Sequence, residues 1–221
     1  MKKVLLVLSI AVLILALTGC PGWFNFGDVQ KMTIPEIIEW IDTNEATDVS
    51  EFLVETEGIV TYAYSYYAYI VDAENNGIML RSDSSVIDFR DFNPGDKISV
   101  VGSPYFSKYG EYRLDTDTPG GTATLIEKNV ALPDPYVLPA GEGLTVGLFG
   151  KLVQLTARYD GTDSYGHHTF NNGGVTVTVF KYSDMPSDLA TNTTYTIMGV
   201  VGQSYGYKLF VWDKSYVLPA E

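Results

Sequence analysis

The only thiol in this sequence, that of Cys20, lies directly after an apolar N-terminal segment. A single cysteine forms no disulfide within its chain, so its chemistry is that of a free or a modified thiol. The segment begins with Lys2 and Lys3 and continues as an apolar run over residues 4–17. This run is shorter than the roughly 20 residues that a membrane-spanning helix requires. We therefore expect residues 1–19 to be a cleaved export signal.

The residues around the predicted cleavage point indicate how the thiol is modified. Leu17-Thr18-Gly19-Cys20 resembles the lipobox of bacterial lipoproteins, in which the cysteine thiol receives a diacylglyceryl group before the chain is cut in front of it. The resemblance implies acyl chains such as palmitate on Cys20 and a lipid-bearing tether over residues 20–32. Several acyl chains, at about 0.8 kcal/mol per buried methylene, hold a protein to a bilayer durably. We expect an extracytoplasmic protein anchored to the cell membrane or the outer membrane.

One group of acidic and amide side chains has the types found in calcium sites. Asp72, Glu74, Asn76 and Gly77, with Asp83 further on, loosely match a calcium-binding loop, because calcium takes oxygen ligands at alternate positions around a glycine turn. Calcium loops of this type are flanked by helices, whereas the flanks here have the composition of strands. Asn-Gly is also a strong hairpin signal. A turn is favoured, and calcium near Asp72 stays an open alternative.

The remaining candidates give no sign of a catalytic centre. His167 and His168 are adjacent, so on a strand their imidazoles point to opposite faces and do not share a metal ion. The sequence has no G-x-S-x-G elbow, no phosphate-binding loop and no H-E-x-x-H motif. We predict no metal, no cofactor and no enzymatic activity. The alternative is a hydrolase built on a pair of the 27 acidic residues.

The elements that position these residues are one helix and many short strands. Thr33 and Glu36 form a capping-box pattern, Pro35 suits a first helical turn, and isoleucines at helical spacing predict a short amphipathic helix ending near Thr43. From Phe52 onward, alternating Val, Ile, Thr and Tyr broken by Gly, Asn, Asp and Pro predict strands. We place them at 52–64, 67–72, 77–82, 97–104 and 112–115.

The second half of the sequence repeats the first in the same order. Leu53-Val54 recurs as Leu152-Val153, and Ser99-Val100-Val101-Gly102 recurs as Thr196-Ile197-Met198-Gly199. The string Tyr-Val-Leu-Pro-Ala occurs at 136–140 and at 216–220, which we interpret as the end of each copy. On this interpretation the first copy has about sixteen additional residues around 119–130. We predict tandem domains over residues 33–133 and 134–221, separated at Pro133 and Pro135.

Five strands in each copy, with long connections, predict an all-β fold of two small Greek-key barrels of the OB type, preceded by the signal peptide and one short helix. The strings Glu57-Gly58-Ile59-Val60-Thr61 and Pro94-Gly95-Asp96-Lys97-Ile98 are similar to those of OB-fold modules in secreted bacterial proteins and lipoproteins. Some modules of this kind accompany extracellular nucleases. The resemblance therefore implies nucleic-acid binding as an alternative function.

Tyrosines surround the loops with which OB barrels usually bind ligands, those between strands one and two and between strands four and five. A tyrosine ring stacks on a sugar or a proline and its hydroxyl forms hydrogen bonds. Tyrosine is also a favoured strand residue, so a purely structural role stays open. The candidate ligand-binding residues are Tyr64, Tyr66, Tyr67, Tyr109, Tyr112, Tyr159, Tyr165, Tyr205 and Tyr207.

The charge balance argues against nucleic acid as the partner. The chain has 27 acidic and 14 basic residues and a net charge of −13. Nucleic-acid affinity depends on Lys and Arg side chains that neutralise phosphates, whereas an acidic surface repels the phosphates. We therefore expect a non-enzymatic binding or scaffold protein of the cell envelope whose tyrosine loops contact a protein or a glycan.

Overall fold

The computed structural model describes residues 29–48, 52–83 and 85–220, which form two closed five-stranded β-barrels in tandem. The predicted signal peptide, Cys20 and most of the predicted tether lie outside the described residues. The predicted all-β fold with two OB-like barrels is confirmed. No helix in the described ranges is long and apolar enough to cross a membrane.

The described chain begins with an edge strand and the predicted helix. β1 (Gln30–Lys31) runs parallel to the start of the first barrel strand, and α1 (Ile34–Asn44) follows. The capping box is confirmed: the Glu36 N–H donates to Thr33 Oγ1 (3.4 Å) and the Thr33 N–H donates to Glu36 Oε2 (2.7 Å). Ile34, Ile37 and Ile41 are buried among the strand residues of the first barrel, so α1 covers its core.

Barrel 1 contains the five strands that the sequence predicts, with ends that differ by at most two residues. They are β2 (Val54–Tyr64), β3 (Tyr67–Val71), β4 (Gly77–Arg81), β5 (Lys97–Phe106) and β6 (Tyr112–Asp115). Their order is β2-β3-β4-β6-β5, and β5 closes the barrel by pairing with β2. β4 and β6 run parallel, while the other neighbours run antiparallel. A further strand, β7 (Thr122–Glu127), pairs with β5.

Barrel 2 repeats this order. Its strands are β8 (Tyr136–Val137), β9 (Leu152–Thr162), β10 (His168–Asn172), β11 (Val175–Val179), β12 (Thr194–Gln203), β13 (Tyr207–Phe210) and β14 (Val217–Pro219). β12 closes the barrel by pairing with β9. In the place of α1, this barrel has a 3₁₀ turn at Val146–Leu148, and Leu138, Leu144 and Leu148 pack against its core.

One interpretation of the repeat was wrong, because the two Tyr-Val-Leu-Pro-Ala strings are not equivalent. The first string supplies β8, which runs parallel to β9 as β1 does to β2. The second supplies β14, which runs antiparallel to β12 as β7 does to β5. The residues around 119–130 are therefore not an addition to the first copy: they contain β7, the counterpart of β14. The change of sheet occurs between Glu127 and Tyr136.

The two barrels are joined by a buried apolar surface, which we call the inter-barrel contact. Phe210 lies at its centre, with ring centroids 5.4 Å from Tyr62, 5.7 Å from Tyr69 and 4.4 Å from Phe180. Such aromatic pairs stabilise a contact beyond the area they bury. The buried residues of the contact are Tyr62, Tyr67, Tyr69, Met79, Phe149, Phe180, Val200 and Phe210.

A polar clamp fixes the two barrels at the turn between β3 and β4. The Asn75 side chain donates to the Leu152 carbonyl (2.8 Å) and accepts from the Leu152 N–H (2.8 Å). Beside it, the backbones of Gly77 and Gly150 approach so closely that a Cβ on Gly77 would lie 1.9 Å from the Gly150 carbonyl oxygen. Only glycine fits at this crossing. The barrels therefore have one defined relative orientation.

Candidate functional site

The tyrosines predicted to bind a ligand differ in their exposure. Tyr67 is buried in the inter-barrel contact and Tyr159 is buried in the core of barrel 2, so each presents only a small part of its side chain to solvent. Tyr112 and Tyr207 are half-buried at the edge of the inter-barrel contact. The exposed members are Tyr64, Tyr66, Tyr109, Tyr165 and Tyr205.

The half-buried pair lies where barrel 1 meets barrel 2: Tyr112 contacts Phe149, and Tyr207 contacts the β5–β6 loop. The Tyr112 hydroxyl donates to Asp42 Oδ1 (2.8 Å), and the Tyr207 hydroxyl lies within 3.1 Å of the position that a Cβ on Gly110 would occupy. Burial raises the pKa of Tyr112 to about 12 and also raises the pKa of Tyr207. Tyr112 also lines a cleft of about 210 Å³ between the barrels, beside Phe149. Both tyrosines therefore stay protonated at neutral pH. Both also pack against the inter-barrel contact.

Three exposed tyrosines from both barrels meet at one end of the inter-barrel contact, and we call them the tyrosine cluster: Tyr64, Tyr66 and Tyr182. Their side chains are 39%, 44% and 61% exposed. The rings of Tyr64 and Tyr182 are parallel to within 12° with centroids 6.4 Å apart, and Tyr66 stands edge-on to Tyr64 at 5.8 Å. The rings therefore present apolar faces and hydroxyl groups together on one surface.

Buried neighbours hold the tyrosine cluster in place. The ring of Tyr67 lies 5.6 Å from that of Tyr64 and 5.1 Å from that of Tyr66, and Phe180 lies 5.3 Å from Tyr182. Tyr66 is in the two-residue turn between β2 and β3, and its carbonyl accepts from the Ser82 N–H (3.0 Å). These buried neighbours restrict the three rings, which limits the conformational entropy lost on binding.

Two cations, Lys181 and Arg81, lie beside the tyrosine cluster, and Arg81 also interacts electrostatically with the buried Asp115 on the neighbouring strand. Lys181 Nζ lies 5.0 Å from the centroid of Tyr182, and Arg81 Cζ lies 6.0 Å from that of Tyr66. Both side chains are exposed, and neither forms an ion pair with any residue in the described ranges. Arg90 also interacts electrostatically with Tyr64, but it forms an ion pair with Asp88. The cluster therefore has positive charge at its margin.

The other exposed tyrosines of the predicted set stand apart. Tyr109, Tyr165 and Tyr205 make no ring contact with any aromatic residue in the described part of the chain. Tyr109 has Lys108 Nζ 5.1 Å from its ring centroid, and Tyr205 is fully exposed with a positive φ of 52°. These side chains do not form a shared surface of the kind seen at the tyrosine cluster.

The candidate calcium loop has its oxygens engaged within its own turn. Asp72 Oδ1 accepts from the N–H groups of Glu74 (2.9 Å) and Asn76 (2.8 Å), and Oδ2 accepts from the Asn76 side chain (2.8 Å). Asp83 accepts from the N–H and hydroxyl of Ser85 instead. In the described ranges no three His, Cys, Asp or Glu side chains are close enough to hold a metal ion.

The two histidines face different surroundings. His167 Nδ1 accepts from the Lys181 N–H (3.0 Å), whereas His168 Nδ1 is hydrogen-bonded to the Tyr159 hydroxyl (3.0 Å). Burial lowers the pKa of His167, with a further contribution from the charge of Lys208, and burial alone lowers the pKa of His168. Both imidazoles are therefore neutral at pH 7.

Two of the buried carboxylates, Glu111 and Asp115, belong to an ion triad at β6. Arg113 lies 3.5 Å from Glu111 and 3.1 Å from Asp115, and its guanidinium lies 4.2 Å from the Tyr105 ring centroid. Desolvation raises the pKa of Asp115, although Arg113 opposes the rise. Because Arg113 stands between the two carboxylates, their arrangement is that of a structural ion group rather than of an acid and a base facing a substrate. The hydrolase alternative stays a prediction.

We compared the chain with models of known protein families and with curated protein sequences, and neither comparison finds a match. The functional argument therefore rests on geometry. The tyrosine cluster can stack on a flat, weakly polar ligand, form hydrogen bonds through its hydroxyls and attract an anion.

Sequence reasoning missed Tyr182 and the partners from barrel 2 in the inter-barrel contact. The sequence pattern that indicates this contact is an unbroken run of apolar residues, rather than an alternation of apolar and polar ones. Leu209-Phe210-Val211-Trp212 is apolar throughout, and all residues of β3 are buried, which is typical of strands covered on both faces. Two such strands in separate small barrels indicate that the barrels cover each other.

Proposed function

We propose that this chain is a lipid-anchored, non-enzymatic binding or scaffold protein of the bacterial cell envelope, which presents its tyrosine cluster to a protein or a glycan. The observation that carries the proposal is the convergence of Tyr64, Tyr66 and Tyr182 from two barrels onto one exposed surface. Clustered large apolar groups on a soluble domain mark interaction sites more often than scattered ones do. Tyrosine is also enriched where binding energy concentrates.

The position of the tyrosine cluster suits an anchored protein. β1 lies at the end of the proposed tether and pairs with Val54 and Glu55 at the start of β2, whereas Tyr64 ends the same 11-residue strand. An extended strand of that length covers about 33 Å at most. With Cys20 in a bilayer, the site lies at the end of barrel 1 away from the tether and is open to partners beyond the lipid surface.

The anchor is tested by labelling cells that express the full chain with a radioactive or alkyne-tagged fatty acid. We expect label on the intact protein and recovery of the protein in the membrane fraction. Cys20→Ser should lose the label and prevent cleavage of the signal segment. Equal labelling of both proteins would contradict a lipid on Cys20.

The binding role is tested with the full chain in detergent against isolated envelope polysaccharide and envelope protein fractions. The test variant is Tyr64→Ala/Tyr66→Ala/Tyr182→Ala, and the matched control is Tyr109→Ala/Tyr165→Ala/Tyr205→Ala, which removes three exposed tyrosines elsewhere. We expect saturable binding that the test variant lowers at least about tenfold and the control leaves within about twofold. Equal binding by all three proteins would remove the tyrosine cluster as the site.

A further inference from the structure

Two cations border the tyrosine cluster in a chain that is acidic overall. The chain carries 27 acidic against 14 basic residues, yet the exposed side chains next to the cluster include Lys181 and Arg81. Neither forms an ion pair with a described residue, and Arg81 interacts with the buried Asp115 only at longer range. The Arg90–Asp88 pair adds no net charge there. A ligand that uses both features of this surface has a weakly polar face for the rings and an anionic group for the two cations.

The two cations lie beside different rings of the tyrosine cluster. Each cation lies within 6.0 Å of a ring of the cluster, so a group stacked on a ring has its substituents within reach of one cation. A pyranose ring with a carboxylate or sulfate substituent has this form, because its C–H face is apolar and its charge lies at the edge.

Nucleic acid and acidic peptide fit this surface less well. Single-stranded nucleic acid also stacks on aromatic rings, but it carries a charge on every nucleotide and is held by a long basic groove. A chain of net charge −13 repels such a polymer outside the small region of Lys181 and Arg81. An acidic peptide would place its charges on flexible side chains and offer no flat face to the parallel rings of Tyr64 and Tyr182.

We infer that the tyrosine cluster binds an acidic glycan, whose sugar rings stack on Tyr64 and Tyr182 and whose carboxylate or sulfate groups contact Lys181 and Arg81. The inference rests on the proposed binding function and specifies its ligand class. The aromatic rings supply affinity for the sugar, and the cations supply the preference for acidic over neutral sugars.

The test is a glycan array that pairs uronic-acid and sulfated glycans with neutral glycans of the same backbone, probed with the full chain in detergent. Poly-glutamate and a single-stranded oligothymidylate are the other anionic probes. We expect acidic glycans to bind at least about tenfold more tightly than their neutral counterparts, with the preference falling as salt is raised. The two anionic polymers without sugar backbones should bind more weakly than the acidic glycans.

Charge variants separate the two parts of the inference. Lys181→Gln/Arg81→Gln should remove the preference for acidic glycans while keeping the binding of neutral ones, and Tyr64→Ala/Tyr66→Ala/Tyr182→Ala should remove both. The matched control Lys108→Gln/Lys128→Gln changes the net charge equally at exposed sites outside the cluster and should keep the preference.

Each other outcome overturns the inference in a recognisable way. Equal binding of acidic and neutral glycans would show a neutral glycan site, and tighter binding of poly-glutamate or oligothymidylate would show a different ligand class. Absence of glycan binding, together with cluster-dependent binding of an envelope protein, would overturn the ligand class and leave the proposed function standing. Absence of cluster-dependent binding to any envelope fraction would remove both.

Discussion

The side chain of Asn75 forms hydrogen bonds with the Leu152 backbone at the junction of the barrels, as a neighbouring strand would. Asn75 adopts a left-handed backbone conformation with φ of 60°, which asparagine tolerates better than most residues. In that position its side chain matches both polar groups of the Leu152 backbone, with two bonds of 2.8 Å. Both residues are buried. The Leu152 N–H and carbonyl therefore depend on Asn75 rather than on water for these bonds.

Replacing Asn75 with Ala should lower the free energy of unfolding by about 3 kcal/mol. The change leaves buried backbone groups of Leu152 without these hydrogen bonds and adds backbone strain at a positive φ. Denaturant unfolding of the purified variant measures the loss. Asn129→Ala is the control, because Asn129 also has a positive φ (58°) but is exposed and outside the inter-barrel contact. Equal losses in the two variants would assign the effect to backbone strain alone.

The buried tyrosines of the inter-barrel contact should make stability sensitive to alkaline pH. Burial raises the pKa of Tyr62 to about 12 and raises the pKa values of Tyr67 and Tyr69 further. Since tyrosine in an unfolded chain has a pKa of about 10, the unfolded state loses these protons first. The stabilisation is complete below pH 10 and decreases as pH rises toward 12, by up to about 1.4 kcal/mol per pH unit for each tyrosine.

Denaturant unfolding at several values between pH 9 and 11.5 measures this dependence, and the absorbance of tyrosinate follows ionisation. Tyr62→Phe should reduce the slope of stability against pH in this range, because it removes one of the protons involved. An unchanged slope in that variant would show that Tyr62 does not contribute to the alkaline loss.

At the scale of elements, α1 acts as the cover of barrel 1. Ile37 is fully buried in the core of that barrel, and Glu39 lies on the exposed face of the same helix. Ile37→Ala should lower the free energy of unfolding by about 2–4 kcal/mol through lost burial and a cavity, whereas Glu39→Ala should change it by less than about 0.5 kcal/mol. Thermal and denaturant unfolding measure both. Similar small effects would mean that the helix is not part of the barrel core.

The elements that the sequence predicted are those whose signals are local. Thr33 and Glu36 cap the helix through contacts three residues apart, and the long strands carry their own alternation and turn residues. The short edge strands were not predictable in this way. The string at Tyr136 and its copy at Tyr216 became β8 and β14, with different partners, because pairing depends on which strand edge the fold leaves open.

The candidate site was only partly predictable for a related reason. Tyr64 and Tyr66 were predicted because they surround the loop between the first two strands, but their neighbour Tyr182 comes from the other barrel. Tyr67 differs from Tyr64 and Tyr66 in nothing that its sequence position shows, yet it is buried by Phe210. Which tyrosines are exposed is decided by how the two barrels pack, and single-domain patterns contain no information about that packing.

At the scale of the whole molecule, the two copies use different faces to meet. Barrel 1 contributes a row across β2, β3 and β4. Barrel 2 contributes Phe180, which directly follows β11, and residues of β13 and β12. The strand registers identify the equivalent positions. Barrel 2 has Gly161, Thr169 and Thr178 where barrel 1 has Tyr62, Tyr69 and Met79.

The neighbouring row of positions, across the end of β4, β6 and β5 of barrel 1, shows the converse pattern. Barrel 1 has Arg81, Asp115 and Ser103 at the positions where barrel 2 has Phe180, Phe210 and Val200. Each barrel is therefore apolar on only one of the two faces. A contact between unlike faces of repeated units can extend into open arrays, and small or charged residues on the unused faces prevent this. The divergence of the copies thus gives one pair of barrels rather than a longer array.

Phe210 provides the test of this arrangement, because the matching position in barrel 1 is already Asp115. Phe210→Asp places an unpaired carboxylate among the rings of Tyr62, Tyr67 and Tyr69, and should separate the barrels at a cost of more than about 4 kcal/mol. We expect the native chain to unfold in one transition and the variant to unfold in two, with more exposed tyrosine by fluorescence and absorbance. Thr178→Asp makes the same kind of change at the half-exposed position equivalent to Met79 and should leave a single transition. Two transitions in the native chain, or one in the Phe210 variant, would mean that the barrels do not depend on this contact.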